Sequence, residues 1–181
     1  MAECIAFDPE VKVKGAAVLA TMKGITAEHL QPLIERHGLG SVRPEGWYPQ
    51  QAWLDVLRDV AEGKAGGSLD LVSVGMEVPN TADWPPGVDS IEAALESIDV
   101  AYHMNHRNGE IGYYRAVRVG SHQIDVVCET PYPCDFDYGI VYGVASRFHP
   151  TGTTFIVRHA EGQCRKKGDR ACVYQVIWEE M

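Results

Sequence analysis

The spacing of the apolar residues changes once along the chain, and this change most constrains what the chain can fold into. Before the turn signal Asn108-Gly109, apolar residues recur three or four positions apart, as on one face of a helix. After it, segments alternate apolar and polar residues, as half-buried strands do. Helices followed by paired strands predict an α+β domain rather than a doubly wound one, in which strands and helices alternate throughout.

Five helices are predicted in the first half of the chain. The clearest begins after Pro49 and carries Trp53, Leu57 and Val60 on one apolar stripe, and Gly63 ends it. The other four are expected at residues 15–23, 26–37, 68–78 and 90–104.

The second half is predicted to contain four strands and one helix. The strands are expected at residues 113–119, 122–128, 153–159 and 172–178, with the first two joined by a two-residue turn at Gly120-Ser121. A helix at residues 138–148 would be capped by Asp135 or Asp137. We therefore expect N-terminal helices packed on an antiparallel sheet of four or more strands. No repeat or linker interrupts the chain, so residues 1–181 should form a single domain.

The charge of the chain excludes several classes of partner. Sixteen Lys and Arg residues stand against 25 Asp and Glu residues, a net charge of −9. Nucleic acids and anionic membrane surfaces require a basic surface, so neither is expected as a partner. There is neither a secretion signal nor an apolar stretch long enough to span a membrane, which predicts a cytoplasmic protein.

Four of the five cysteines lie at the ends of predicted elements. Cys128 ends a strand, Cys134 precedes a helix, and Cys164 and Cys172 flank the turn of the last strand pair. A strand pair brings its two ends together, so these thiols can surround one tetrahedral zinc ion, with Glu161 as a further candidate ligand. The alternative is that the cysteines are small buried apolar residues, or that two of them form a disulfide.

The segment from Thr130 to Trp178 resembles the 4-vinyl reductase domain family. The resemblance rests on TPYPCDFDYG, the later RF pair, Cys164, Gly168, Cys172 and the closing VYQVIW. That family shares a superfamily with haem nitric-oxide-binding domains and TRAPP-type transport subunits. The first half, with KGAAVLATMKG and WYPQQAWLDVL, looks like related single-domain bacterial proteins.

The resemblance implies a zinc site and a sensory role. Phenol-sensing activators with such a domain hold zinc through positions that match Cys164, Cys172 and Glu161, together with an earlier cysteine, here Cys134 or Cys128. The family further implies a domain that binds a small hydrophobic or aromatic molecule between helices and sheet, often as a dimer. The alternatives are a tetrapyrrole- or pigment-related enzyme or carrier, and an interaction module without a ligand.

A pocket of this kind would be lined by aromatic side chains from the helices that border the sheet. We expect Trp53, Tyr102, Tyr138 and Tyr142 to line it, with His106 or Arg147 as the polar partner. The alternative is that these rings form ordinary core.

Haem is not the expected ligand. The haem-binding relatives use an axial histidine, for which His103 and His106 are the candidates here, and a Tyr-x-Ser-x-Arg clamp. In the corresponding segment from Tyr114 to Arg118, Ala116 stands where the serine belongs.

Nothing in the sequence matches a common catalytic motif, and a zinc ion with four protein ligands has no open position for water. A binding role is therefore favoured over an enzymatic one. A homodimer is expected through the small apolar face of residues 15–22, which is short for a solitary surface helix.

Overall fold

A computed structural model describes residues 4–20, 22, 27–65 and 70–180. Within them the chain forms helices, two antiparallel sheets and two 3-10 turns, at Val78–Asn80 and Arg165–Lys167. The helices are α1 (Gly15–Ala20), α2 (Ala27–Arg36), α3 (Gln50–Ala61), α4 (Leu71–Glu77), α5 (Ile91–Met104) and α6 (Cys134–Phe148). The strands are β1 (Lys12–Lys14), β2 (Trp47–Pro49), β3 (His106–Arg107), β4 (Tyr113–Gly120), β5 (Gln123–Glu129), β6 (Thr153–His159) and β7 (Cys172–Glu180).

The predicted four-stranded antiparallel sheet is confirmed, in the order β4-β5-β7-β6. Alternate residues of β5 face the helices and are fully buried, as the period of two requires: Ile124, Val126 and Cys128. The helix α6 packs against β6 and β7, while α5 packs against β4 and β5. The α+β class is therefore confirmed.

A second sheet, β2-β1-β3, was not predicted. Its strands are two or three residues long, which is too short for an alternating pattern to appear in the sequence. In this sheet Val13 lies opposite Tyr48 on one side and His106 on the other. This short sheet holds the start of α3 near the end of α5, because β2 directly precedes α3 and β3 directly follows α5.

The helix boundaries follow the predictions, with differences at the ends. Ser90 caps α5, its Oγ accepting a hydrogen bond from the Ala93 N–H at 3.1 Å. The helix α6 begins at Cys134, so Asp135 and Asp137 lie in its first turn instead of capping it. The hairpin turn is Ser121-His122 because Gly120 pairs with Gln123. Residues 21, 23–26 and 66–69, where three predicted helix ends fall, lie outside the described residues.

Glycines let α4 and α6 touch through their backbones. A Cβ at Gly139 would lie 2.2 Å from the carbonyl oxygen of Val72, and one at Gly75 would lie 2.2 Å from that of Phe136. Neither position can hold a side chain without separating the helices. This crossing holds the first turn of α6 against the core.

The apolar side of α1 is covered by the chain itself. Ala17, Val18 and Ala20 are all buried within the single chain. The sequence argument for a homodimer through this face therefore fails, and the homodimer stays a prediction. Among the helices that the structure describes, none is long and apolar enough to cross a membrane.

Candidate metal centre and interior cavity

Three cysteines and one histidine converge at one end of the sheet. Cys134 begins α6, His159 ends β6, and Cys164 and Cys172 stand on either side of the loop that leads into β7. Their candidate ligand atoms all lie within 4.8 Å of one another. The two Sγ atoms of Cys134 and Cys164 are 3.8 Å apart. Three soft sulfur donors and an imidazole form a donor set suited to a tetrahedral metal ion.

The imidazole of His159 is oriented as in metal-binding histidines. Its Nδ1 lies 2.8 Å from the carbonyl oxygen of Ala160, so the ring proton is on Nδ1 and is donated there. Its Nε2 therefore carries the lone pair, yet this atom is buried and completes no hydrogen bond. A buried acceptor without a donor is costly, and a bound metal ion would remove that cost.

Arg165 places positive charge beside the thiols. Its backbone N–H and its Nε donate to the Sγ of Cys172 at 3.3 and 3.5 Å. A hydrogen bond from the Cys134 thiol, followed by these bonds from Arg165, lowers the pKa of Cys172. The same contact with Cys172, together with burial, raises the pKa of Cys134. Cys172 therefore becomes a thiolate, the form that binds a metal, more readily than Cys134 does.

The structure brings together some of the predicted metal ligands. Cys134, Cys164 and Cys172 meet as expected. Cys128 pairs with Cys172 across the sheet but is not in the group, and Glu161 is exposed and also outside it. His159 was missed, although it ends a predicted strand five positions before Cys164. The reasoning that placed the cysteines at strand ends also applies to it.

A buried ion pair lies behind the metal centre. The guanidinium of Arg165 contacts Asp137, whose side chain is fully buried. This carboxylate also accepts hydrogen bonds from Thr130 Oγ1 at 2.6 Å and from the hydroxyl of Tyr114 at 2.5 Å. Arg165 donates to the carbonyl oxygen of Tyr132 at 2.8 Å as well. The network thus connects the thiols to two tyrosines.

Both tyrosines border a small cavity between the helices and the sheet. Its volume is about 60 Å³, and its walls are almost entirely apolar and aromatic. Of the predicted pocket residues, Trp53, Tyr102 and His106 line it. Further rings in its wall are those of Tyr114, Tyr132 and Phe136.

The other three predicted pocket residues lie elsewhere. The hydroxyl of Tyr138 donates to the carbonyl oxygen of Val157 at 2.8 Å, and Tyr142 packs edge-on against Phe155. Arg147 donates to the carbonyl oxygen of Pro79. Helical position alone did not show which side of α6 meets the cavity and which side meets β6.

The interior does not fit a haem group. Ligand pockets typically occupy ~300–1,000 Å³, far more than this cavity offers. Both ring nitrogens of His106 are engaged, with Nδ1 2.8 Å from the Tyr102 carbonyl oxygen and Nε2 2.7 Å from the Tyr132 hydroxyl. His103 is exposed at the surface, and Arg118 pairs there with Glu96 at 2.6 Å.

Helices on an antiparallel sheet, with a metal-ligand cluster at one end and a small interior cavity, define the architecture of this domain.

No family model matches the sequence, and no curated protein matches it. Solved H-NOX domains match the structure. An H-NOX protein from Shewanella oneidensis in the Fe(II)NO state superimposes with a TM-score of 0.68 at 15% identity, covering 93% of this chain and all of that one.

Two further structures agree. An oxygen-binding H-NOX domain related to soluble guanylate cyclases gives a TM-score of 0.64 at 16% identity, covering 92% of this chain and 93% of that one. An unliganded Fe(II) H-NOX mutant from K. algicida gives 0.61 at 12% identity, covering 92% and 97%. The fold is therefore the H-NOX fold, as the resemblance to haem nitric-oxide-binding domains implied. The closer resemblance to 4-vinyl reductase domains stays a prediction, as does that to TRAPP-type subunits.

Proposed function

We propose that this chain is a sensory domain that binds a small hydrophobic molecule directly in its interior cavity, without haem. The observation that carries the proposal is the cavity of about 60 Å³ between helices and sheet, with aromatic walls and few polar groups. Small-molecule sites have walls of this kind, and the volume restricts the ligand to a few atoms. The H-NOX structures give a precedent for ligand binding by this fold, since they include an Fe(II)NO state and an oxygen complex.

We further propose that zinc occupies the cluster of Cys134, His159, Cys164 and Cys172, with a structural role. The donor set supports this, because Cys₃His sites with four protein ligands are typical of structural zinc. The unsatisfied Nε2 of His159 supports it as well. When bound, the ion would join α6, β6 and β7 at one point and contribute to the folding free energy.

The cavity is tested with xenon, a small apolar atom that binds in empty apolar cavities of proteins. Saturable binding should quench the fluorescence of Trp53, which lines the cavity, and should raise the free energy of unfolding as the xenon pressure increases. Ala101→Leu fills the cavity and should abolish binding. Tyr142→Ala is the control, since this ring packs on Phe155 away from the cavity, and it should bind xenon normally.

The same experiment separates the sensor from the interaction module. Absence of binding to the folded protein, combined with no effect of Ala101→Leu, would refute the ligand-binding proposal. An interaction module without a ligand would then be the better account. Light scattering on the same samples tests the predicted homodimer.

The metal site is tested by elemental analysis of freshly purified variants. The native chain should contain about one zinc, and His159→Gln should lose most of it. Glu161→Gln and Cys128→Ala should keep it, because neither side chain belongs to the cluster. Loss of zinc in Glu161→Gln with retention in His159→Gln would overturn this ligand set in favour of the one that the family resemblance implies.

A further inference from the structure

The four-stranded sheet packs against helices through one of its two faces. The helix α5 contacts β4 and β5, and α6 contacts β6 and β7. Side chains that point toward these helices are buried, and those that alternate with them point away and are half-buried or exposed. On the edge strands β4 and β6, Val117 is 43% exposed and Ile156 is 62% exposed. We call this second side the outer face, and within the described part of the chain it is open to solvent at Val117, Asp125, Val173, Gln175, Ile156 and Arg158.

The outer face carries two pairs of aliphatic side chains. Val127 on β5 lies opposite Val173 on β7, and Ile177 on β7 lies opposite Ile156 on β6. Side chains directly opposite each other on neighbouring strands are in contact, so each pair forms a small apolar area on the sheet. Apolar areas that lie together on a protein surface mark a place where another molecule packs.

A row of polar side chains separates the two aliphatic pairs. Asp125 on β5, Gln175 on β7 and Arg158 on β6 lie directly opposite one another. The Oε1 of Gln175 accepts a hydrogen bond from Arg158 Nε at 2.8 Å, and its Nε2 donates to Asp125 Oδ2 at 3.5 Å. Neither Arg158 nor Asp125 forms an ion pair with any residue that the structure describes. The row thus has a positive end and a negative end, with an amide between them.

This distribution of charge makes the outer face complementary to itself. Two sheets that pack face to face lie ~10 Å apart with their strands nearly aligned. A two-fold axis that runs along β7, between two such sheets, places β6 of one copy over β5 of the other. Arg158 of each copy then lies over Asp125 of the other copy. The same axis places the aliphatic Val173 and Ile177 against their own counterparts.

We propose that the outer face of the sheet docks a second copy of this chain, so that two sheets form a sandwich around a two-fold axis along β7. The proposal goes beyond the ligand and metal sites and does not depend on either of them. It also assigns the interface to a surface that the single chain leaves open, in contrast to the apolar side of α1, which the chain itself covers.

Charge reversal tests this arrangement by sedimentation equilibrium. The native chain should have the mass of two chains in the micromolar range. Arg158→Asp brings two acidic groups together at each contact, and Asp125→Arg brings two basic groups together, so each variant alone should raise the dissociation constant about a hundredfold. An equimolar mixture of the two variants should restore the native value, because every contact in the mixed dimer joins opposite charges.

Two exposed aliphatic residues provide a variant and its control for the apolar part of the interface. Ile156 and Val100 are 62% and 50% exposed in the single chain, so replacing either by Lys should leave the stability of the monomer unchanged. Ile156→Lys introduces a charge into the proposed interface and should weaken dimerisation. Val100→Lys should leave the dissociation constant as it is, because Val100 belongs to α5, which packs on the other face of the sheet.

Three results would overturn the proposal. The first is a native chain that has the mass of one chain throughout the micromolar range. The second is a dimer that persists in both charge-reversed variants, which would show that the copies meet through another surface, such as the edge of β6. The third is a mixture of the two variants that stays monomeric. None of these results affects the proposed function, which the xenon and zinc measurements test separately.

Discussion

The Nε of Arg165 donates to the Sγ of Cys172 at 3.5 Å, while the other end of the same guanidinium contacts the buried carboxylate of Asp137. One side chain therefore balances two sets of negative charge. A zinc ion held by three thiolates would carry a net negative charge, which the neighbouring Arg165 would offset. The buried carboxylate needs the same cation, so the metal centre and the core depend on one residue.

Arg165→Met should destabilise the fold and weaken metal binding together. Removing one partner of a buried ion pair costs ~3–5 kcal/mol, and loss of a group that supports a metal ligand lowers metal affinity ~10- to 100-fold. Urea unfolding and competition with a zinc chelator measure the two effects. Arg170→Met is the control, because its contact with Glu129 is at the surface, where water and salt screen an ion pair and it contributes little to stability. Equal effects of the two substitutions would contradict this role.

Gly139→Ala should be strongly destabilising. Its new Cβ would lie 2.2 Å from the Val72 carbonyl oxygen, so α4 and α6 would have to separate. Overpacking of this kind costs ~1–3 kcal/mol or more. Gly120→Ala is the control, since a Cβ there meets nothing within 4 Å. Denaturant unfolding checks both, and a stable Gly139→Ala variant would show that the helices do not touch as described.

Protonation of His106 should weaken the fold in mild acid. Burial lowers its pKa to about 4, against an ordinary value of 6.5. The unfolded chain therefore binds a proton that the folded chain does not, and the free energy of unfolding falls as the pH decreases from 6.5 to about 4. The loss is on the order of 2–3 kcal/mol. NMR titration of the imidazole checks the pKa, and a midpoint near 6.5 would contradict the burial of a neutral ring.

Haemin should not form a defined complex with the native chain. The cavity of about 60 Å³ is too small, and both nitrogens of His106 are engaged. A titration followed by absorbance should show no saturable one-to-one spectrum. A stoichiometric complex that is lost in His106→Phe would show that the rings open around a haem and that the fit described above is wrong.

The sequence by itself determined the fold class and the main elements. The change from helical spacing to alternation is a local property, set by which side chains must face the core, so α3, α5 and the four long strands could be predicted from it. The short sheet of β1, β2 and β3 could not, because strands of two or three residues leave no periodic signal.

Only the tertiary structure decided which residues meet. Cys134, Cys164 and Cys172 were predictable from their places at element ends, but the choice of His159 over Cys128 and Glu161 depends on how α6 lies against the last two strands. Gln50 gave no signal at all in the sequence, since an amide at a helix start is ordinarily exposed. Its full burial arises only when α3 packs against α2, α4 and the short strands β1 and β2, because burial belongs to a set of neighbours and not to a residue.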